Sequence, residues 1–452
     1  MKTGVQSVIL SLLMISGVKF CRSQDPMDDI ETACGYVEIR PNAFMFWLLY
    51  YQDESFAPDY LTPLNEVPVV VWLQGGPGAS STGYGNFEEL GPLYLNLTRR
   101  PTSWTGLGHV LFIDNPVGSG YSYVREGGTY ATNIDEVGVD LVSLLRGFYA
   151  ETGLQDNPLY IFCESYGGKM AAVFGREIVK AINAGTLESN FKGVGLGDAW
   201  ISPIDSVITW APYLYQASLL DKHGFEQVQS FADATQQAVN NGNWERATNL
   251  WYATEIAILV AADNVNFYNI LYPHHAVSTV KSLKNSTYFG LKGNVGHLFD
   301  HHVAPFAEYS LDDLMNGYFK DYLGIIPEDV IWGGQSGFVW DAMTGDFMKP
   351  TIDIVDANIA DGIKVVVYNG MLDLIVDTPG QELWLAKLQW DKTEEFNNSK
   401  WKPRYYTAGV DTGGFSKEID NFSFWWVLDA GHMVPTDQGE FMLYLLHDTI
   451  TK

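Results

Sequence analysis

Ser165 lies in Glu164-Ser165-Tyr166-Gly167-Gly168, between an apolar run at 159–163 (LYIFC) and a helical pattern over 169–184. A serine on a sharp strand-to-helix turn is held above a sheet with its Oγ exposed, and the N–H of the next residue, here Tyr166, faces the same space. The turn requires small neighbours; Gly167 is one, and Cys163 stands two positions before the serine. By itself a Ser-x-Gly reads more simply as a helix cap. Serine is a weak nucleophile, and it needs a base that is itself oriented by a carboxylate.

Both partners occur further along the chain, each after a strand-like run. Residues 364–368 (KVVVY) lead into Asn369-Gly370-Met371-Leu372-Asp373, and 422–427 into Leu428-Asp429-Ala430-Gly431-His432-Met433-Val434-Pro435. The order Ser165, Asp373, His432 is the one in which a sheet of this kind delivers a triad. Asp377 and Asp429 compete for the carboxylate role. A fourth segment, Gln74-Gly75-Gly76-Pro77-Gly78, follows the apolar run 69–73 (VVVWL). Its backbone N–H groups can stabilise the oxyanion of a tetrahedral intermediate, an effect worth roughly 2.7–4 kcal/mol. A phosphate loop is excluded because no Lys-Ser/Thr follows.

These loops need a scaffold. Continuous apolar runs at 69–73, 109–113 and 159–163 have the texture of strands buried on both faces. Residues 35–39 and 44–51 flank Arg40-Pro41-Asn42, a hairpin signal. Further strands are expected at 194–196, 364–368 and 422–427, with helices over 135–149, 169–184 and 437–449. Strand and helix alternating predicts an α/β-hydrolase fold, a mostly parallel central sheet with helices on both faces. Between 203 and 345 the texture changes to a helical hairpin, 225–239 and 244–262, joined at Asn240-Asn241-Gly242-Asn243. The expected organisation is a leader at 1–23, a core from 24–202 and 346–452, and a mainly helical cap insertion at 203–345.

The first residues carry Lys2, an apolar stretch at 8–15 (VILSLLMI) and small residues around Ser23, the pattern of a cleaved secretory signal. That stretch is short of the about 20 residues a membrane span needs. Cleavage after Ser23 would remove three cations and no acid, moving the net charge from −27 to −30. So acidic a chain has no means of holding nucleic acid or an anionic membrane. Of three cysteines, Cys21 leaves with the leader, and Cys163 beside the serine is poorly placed to bridge to Cys34. Sequons at Asn96, Asn285, Asn397 and Asn421 agree with a secretory route to the cell exterior or the lysosome.

Trp72-Leu73-Gln74-Gly75-Gly76-Pro77-Gly78, Phe112-Ile113-Asp114-Asn115-Pro116-Val117-Gly118, Gly120-Tyr121-Ser122-Tyr123, Glu164-Ser165-Tyr166-Gly167-Gly168 and Gly431-His432-Met433-Val434-Pro435 resemble the motifs of the serine carboxypeptidase family. The similarity runs from about residue 35 to the C-terminus. The resemblance implies an oxyanion hole formed by the N–H groups of Gly76 and Tyr166. It also implies a site for the substrate's terminal carboxylate built from Gln74, Gly75, Glu89 and Glu164, with Gln74 in place of the family's Asn and Ala79 in place of a family cysteine. The expected activity is release of C-terminal residues from peptides and proteins at acidic pH, with no cofactor. Members of the family often form dimers, although no interface signature is visible here.

Three other readings share parts of this pattern. An acyltransferase would use the same triad, a lipase or esterase would have no use for Gln74, Glu89 and Glu164, and a non-catalytic homologue could serve as a stabilising partner. His297, His301 and His302 have helical spacing, but no glutamate follows His297 as a zinc-protease motif requires, so no metal is expected. Trp244, Trp251 and Tyr252 read as core residues of the cap.

Overall fold

The computed structural model describes residues 19–20, 27, 29–57, 66–272, 310–406 and 409–452. The leader apart from Lys19 and Phe20, Asn285, His297, His301 and His302 lie outside the described residues.

Six strands run parallel through the centre: β5 (His109–Ile113), β4 (Val69–Leu73), β7 (Pro158–Glu164), β8 (Asn190–Gly197), β9 (Lys364–Gly370) and β12 (Phe422–Val427). Antiparallel strands extend both edges. On one side are β3 (Ala43–Tyr50), β2 (Thr32–Arg40) and the two-residue β1 (Lys19–Phe20), with β6 (Tyr123–Val124) also on β3. On the other are β11 (Asp411–Ile419) and β10 (Lys402–Tyr406).

Period-two alternation sorts each central strand between two cores. Val69, Val71 and Leu73 face one, with Ile161 and Cys163, and are covered by α1 (Ile134–Thr152) and α2 (Gly167–Asn183). Val70 and Trp72 face the other with Phe162, Phe112 and the C-terminal helix Gly439–Thr451. Such double cover is why these strands are uniformly apolar instead of alternating. The expected strands at 69–73, 109–113 and 422–427 coincide with β4, β5 and β12. Strands β10 and β11 carry Lys, Arg, Gly and Glu; they are the outermost two on their side, with β10 at the edge, and an apolar run is not required there.

Within 203–345 the described residues are mainly helical, with irregular stretches at 262–272 and 324–336. The main feature is the hairpin α3 (Lys222–Asn240) and α4 (Trp244–Ala261), capped by Asp221 and Asn243, whose side chains accept from Gly224 N–H and Arg246 N–H. Among the described residues no helix is long and apolar enough to cross a membrane. Cys34 on β2 and Cys163 on β7 form no disulfide; the Cys163 thiol instead donates to the Gly195 carbonyl at 3.2 Å.

Candidate active site

Four neighbouring parallel strands, β7, β8, β9 and β12, end at the same sheet edge. Glu164 pairs with Gly197, Gly197 with Tyr368, and Gly370 with Val427. The residues just beyond these ends are Ser165, Asp198, Asp373 and His432. Placing chemistry at the carboxyl ends of a parallel sheet is the general rule for open α/β folds.

Ser165 has φ 61°, a left-handed conformation rare for a residue with a side chain. It is held there by its N–H donating to Gly197 O at 3.1 Å and by its carbonyl accepting from Trp200 N–H at 2.8 Å and Gly168 N–H at 2.9 Å. The side chain is only partly covered. Close neighbours explain the glycines: a Cβ on Gly167 would come 2.3 Å from Leu73 O, and one on Gly168 would come 2.4 Å from the Ala199 Cβ. Cys163 tolerates its position because its side chain turns into the core behind the strand.

His432 and Asp373 are both buried, with Nδ1 2.7 Å from Oδ2. The other carboxylate oxygen accepts from Val376 N–H at 3.2 Å. The remaining ring nitrogen, Nε2, is buried and takes part in no hydrogen bond among the described residues. An imidazole anchored through Nδ1 with Nε2 unengaged has the form of a general base. Asp377 is elsewhere, accepting from the Thr209 hydroxyl at 2.8 Å, and Asp429 points to solvent.

The glycine loop touches the serine turn directly. A Cβ on Gly75 would lie 2.6 Å from the Ser165 Cβ and 3.0 Å from Tyr166 N. Neither Gly76 N–H nor Tyr166 N–H is used in a hydrogen bond among the described residues. Two unused main-chain donors beside a partly exposed serine are what an oxyanion hole requires.

Gln74 and the two glutamates form one buried cluster. Gln74 Nε2 donates to Glu89 Oε1 and to Glu164 Oε1, each at 2.9 Å, and its Oε1 accepts from Trp72 Nε1 at 2.8 Å. The longer amide fits because Gly85 leaves room, since a Cβ there would strike the Trp72 ring at 2.3 Å. Burial, then the charge of Glu89 and a hydrogen bond with it, push Glu164 well above the usual carboxylate range. Burial raises Glu89 as well. Both acids are thus biased toward the protonated form, and a neutral acid can donate to an anion.

Residues outside the motifs contribute parts of the site that sequence reasoning missed. Tyr268 O accepts His432 N–H at 2.6 Å, and the Tyr268 ring lies 4.6 Å from the imidazole at an interplanar angle of 33°. A Cβ on Gly431 would come 2.1 Å from that same carbonyl, which is why glycine precedes the histidine. Phe267 O accepts from Leu374 and Ile375, so the same stretch also holds the loop that carries Asp373. Behind the serine, Tyr166 stacks on Phe347 (5.9 Å, 7°), which in turn packs on Trp251 at 4.6 Å and Trp200 at 5.4 Å. Trp251 and Tyr252 are buried, in keeping with their expected core role. The Tyr166 hydroxyl and Lys169 Nζ both donate to Asp346 Oδ2, at 2.8 and 3.0 Å. Asp198 is a further residue at this edge that no motif announced.

One ligating atom each from Asp198, Asp373 and His432 lie within 4.8 Å of one another. Two of these residues, Asp373 and His432, already share the Nδ1–Oδ2 hydrogen bond.

Among the sequons, Asn96 and Asn397 are exposed. The Asn421 side-chain nitrogen donates to Ile359 O at 2.9 Å and Ile363 O at 2.7 Å. A glycan at that nitrogen would replace one of its two hydrogens and so remove at least one of these bonds, which argues against the use of Asn421.

Comparisons with known proteins bear on the fold and the family. The chain is 48% identical over 413 residues to the retinoid-inducible serine carboxypeptidase of Mus musculus, covering 91% of this chain and 89% of the relative. It is 47% identical over 423 residues to the Homo sapiens protein of that name, covering 93% and 92%. Among solved structures, a prohormone-processing carboxypeptidase from Saccharomyces cerevisiae shares the fold with a TM-score of 0.75 at 19% identity, covering 94% of this chain and 92% of that one. The family model described as serine carboxypeptidase matches residues 23–452. On this match and these relatives, the chain belongs to the serine carboxypeptidase family.

Proposed function

We propose that the enzyme, a serine carboxypeptidase, releases the last residue of a peptide through an acyl-enzyme on Ser165, with His432 as base and Asp373 as its anchor. As Oγ attacks the last peptide carbonyl, His432 Nε2 takes the hydroxyl proton and the oxyanion settles between Gly76 N–H and Tyr166 N–H. The protonated imidazole then gives its proton to the departing amine. Water repeats the sequence on the ester, again with His432 as base. Gln74, Gly75, Glu89 and Glu164 receive the free C-terminal carboxylate, which restricts cleavage to the chain end.

The observation that carries this reading is the amide of Gln74 bonded to both glutamates, with Glu164 next in sequence to Ser165. Acid is the favoured condition because the carboxyl pair has to hold a proton in order to donate to an anionic substrate. In the same reading, 203–345 is a cap on the catalytic edge and 1–23 a leader into the secretory pathway, with the product secreted or lysosomal and glycosylated at Asn96 and Asn397.

The test compares a blocked dipeptide with its C-terminal amide between about pH 4.5 and 7.5, using wild type and Ser165→Ala. The proposal requires the free acid to be cleaved far faster than the amide, fastest at the acidic end, and by the wild type alone. Equal rates on the two substrates would point to a general amidase or esterase.

A further inference from the structure

Asp198 closes β8 beside the loop that carries Asp373, and its side chain is fully buried. Its backbone is fixed by its own N–H donating to Tyr368 O at 2.9 Å, with φ at 39°. Oδ1 accepts from Gly370 N–H at 2.9 Å, while no donor reaches Oδ2 among the described residues. The titratable groups facing it are Asp373, Asp437, Glu164, Cys163 and Tyr368, with His432 across Asp373, and none of them is a lysine or arginine.

Two carboxylates in contact inside a protein cannot both be ionised, so one keeps a proton. Hydrogen bonds decide which one. The Asp373 anion receives two donors, His432 Nδ1–H and Val376 N–H, whereas Asp198 receives only Gly370 N–H. Burial first, and the charge of Asp373 second, push Asp198 well above the ordinary carboxylate range.

We propose that Asp198 is a positioning residue, a neutral carboxylic acid whose O–H donates to the Asp373 carboxylate and so fixes the group that holds the imidazole. The inference rests on the Ser165–His432–Asp373 reading. It adds a fourth member, from the strand between those that carry the serine and the aspartate. The working form exists below the pKa of Asp198. As pH rises through that value, the donor is lost, two anions face each other, and the anchor of His432 loosens. The set is therefore built to fail on the alkaline side.

The experiment measures the rate of Ser165 modification by a fluorophosphonate from acid to alkaline pH in wild type, Asp198→Asn and Asp198→Ala. This probe has no C-terminal carboxylate, so ionisation of Glu89 and Glu164 does not enter through substrate recognition. Asparagine keeps a donor that does not titrate. Asp198→Asn is expected to stay within about fivefold of wild type at acidic pH and to move the alkaline fall upward by at least about one unit, whereas Asp198→Ala loses about tenfold or more throughout. An alkaline limb unmoved in Asp198→Asn would overturn the proposal, as would an asparagine variant as slow as the alanine one.

Infrared difference spectra of wild type against Asp198→Asn read the proton directly, without turnover. Loss of one neutral-carboxyl C=O band supports the proposal, and an unchanged spectrum in that region refutes it. Failure of the wild type to react at Ser165 would sink the triad reading instead, and the infrared comparison would then decide whether Asp198 holds a proton.

Discussion

Gln74 Nε2 stands 2.9 Å from Glu164 Oε1, which ties the glycine loop after β4 to the residue immediately before Ser165. A bond between neutral groups contributes about 0.5–1.5 kcal/mol, and leaving a buried partner unsatisfied costs about 1–3 kcal/mol. Gln74→Ala is expected to lower kcat/KM on a free-acid dipeptide by roughly 10- to 100-fold, while leaving the C-terminal amide almost unchanged. Steady-state kinetics on the matched pair checks this, and equal losses on both substrates would assign Gln74 a purely structural role.

Glu164→Gln separates recognition from chemistry. The glutamine retains a donor but cannot ionise, so the fall in free-acid hydrolysis on raising the pH should move upward or flatten. The sign follows from the raised pKa: the neutral, donating form is complete at low pH and disappears as pH rises through the folded-state value. A kcat/KM profile identical to wild type would remove Glu164 from carboxylate binding.

Gly75→Ala is predicted to damage turnover more than folding. Its new Cβ would sit 2.6 Å from the Ser165 Cβ, so loop and elbow must separate. Misplacing an oxyanion donor costs about 10²–10³ in kcat. Thermal unfolding should shift by only a few degrees, and a variant with normal kcat would show that the loop does not serve the serine.

Lys169 tests how the segment that carries Asp346 is fastened to α2. Burial works against the Asp346 carboxylate, yet Lys169 and Tyr166 outweigh it and hold the pKa below the usual range. Lys169→Met leaves that carboxylate buried and largely uncompensated, with an expected cost of about 3–5 kcal/mol. Lys169→Met with Asp346→Leu should recover most of the loss, as read by denaturant titration.

Stability should fall as pH rises above the acidic range. Glu88 is pushed up to about 8 by burial and by Glu89, and Glu164 is raised still more clearly. Groups that bind protons more tightly when folded stabilise fully below their unfolded pKa, and they lose that contribution as pH climbs through the folded one. The window for Glu88 runs from about 4.5 to about 8. Thermal midpoints measured across it should decline, and Glu88→Gln should decline less.

Short-range chemistry made much of the molecule legible in the residues themselves. Strands covered on both faces have to be apolar throughout, so β4, β5 and β12 stood out, as did the tight turn at Ser165, where only small neighbours fit. The order of Ser165, Asp373 and His432 along the chain follows from strands that each deliver one loop to the same edge. The outer strands β10 and β11 are not legible in the sequence because half-solvated strands carry no such apolar signature.

What depended on the tertiary structure was everything settled by contact between distant segments. Asp373 is distinguished from Asp377 and Asp429 only by its 2.7 Å approach to His432. The Tyr268 carbonyl behind His432 and the Asp198 carboxyl beside Asp373 come from stretches with no motif of their own. Local spacing specifies turns and faces, whereas which buried acid meets which donor, and hence which keeps its proton, depends on how four strand ends and the stretch around Tyr268 pack together.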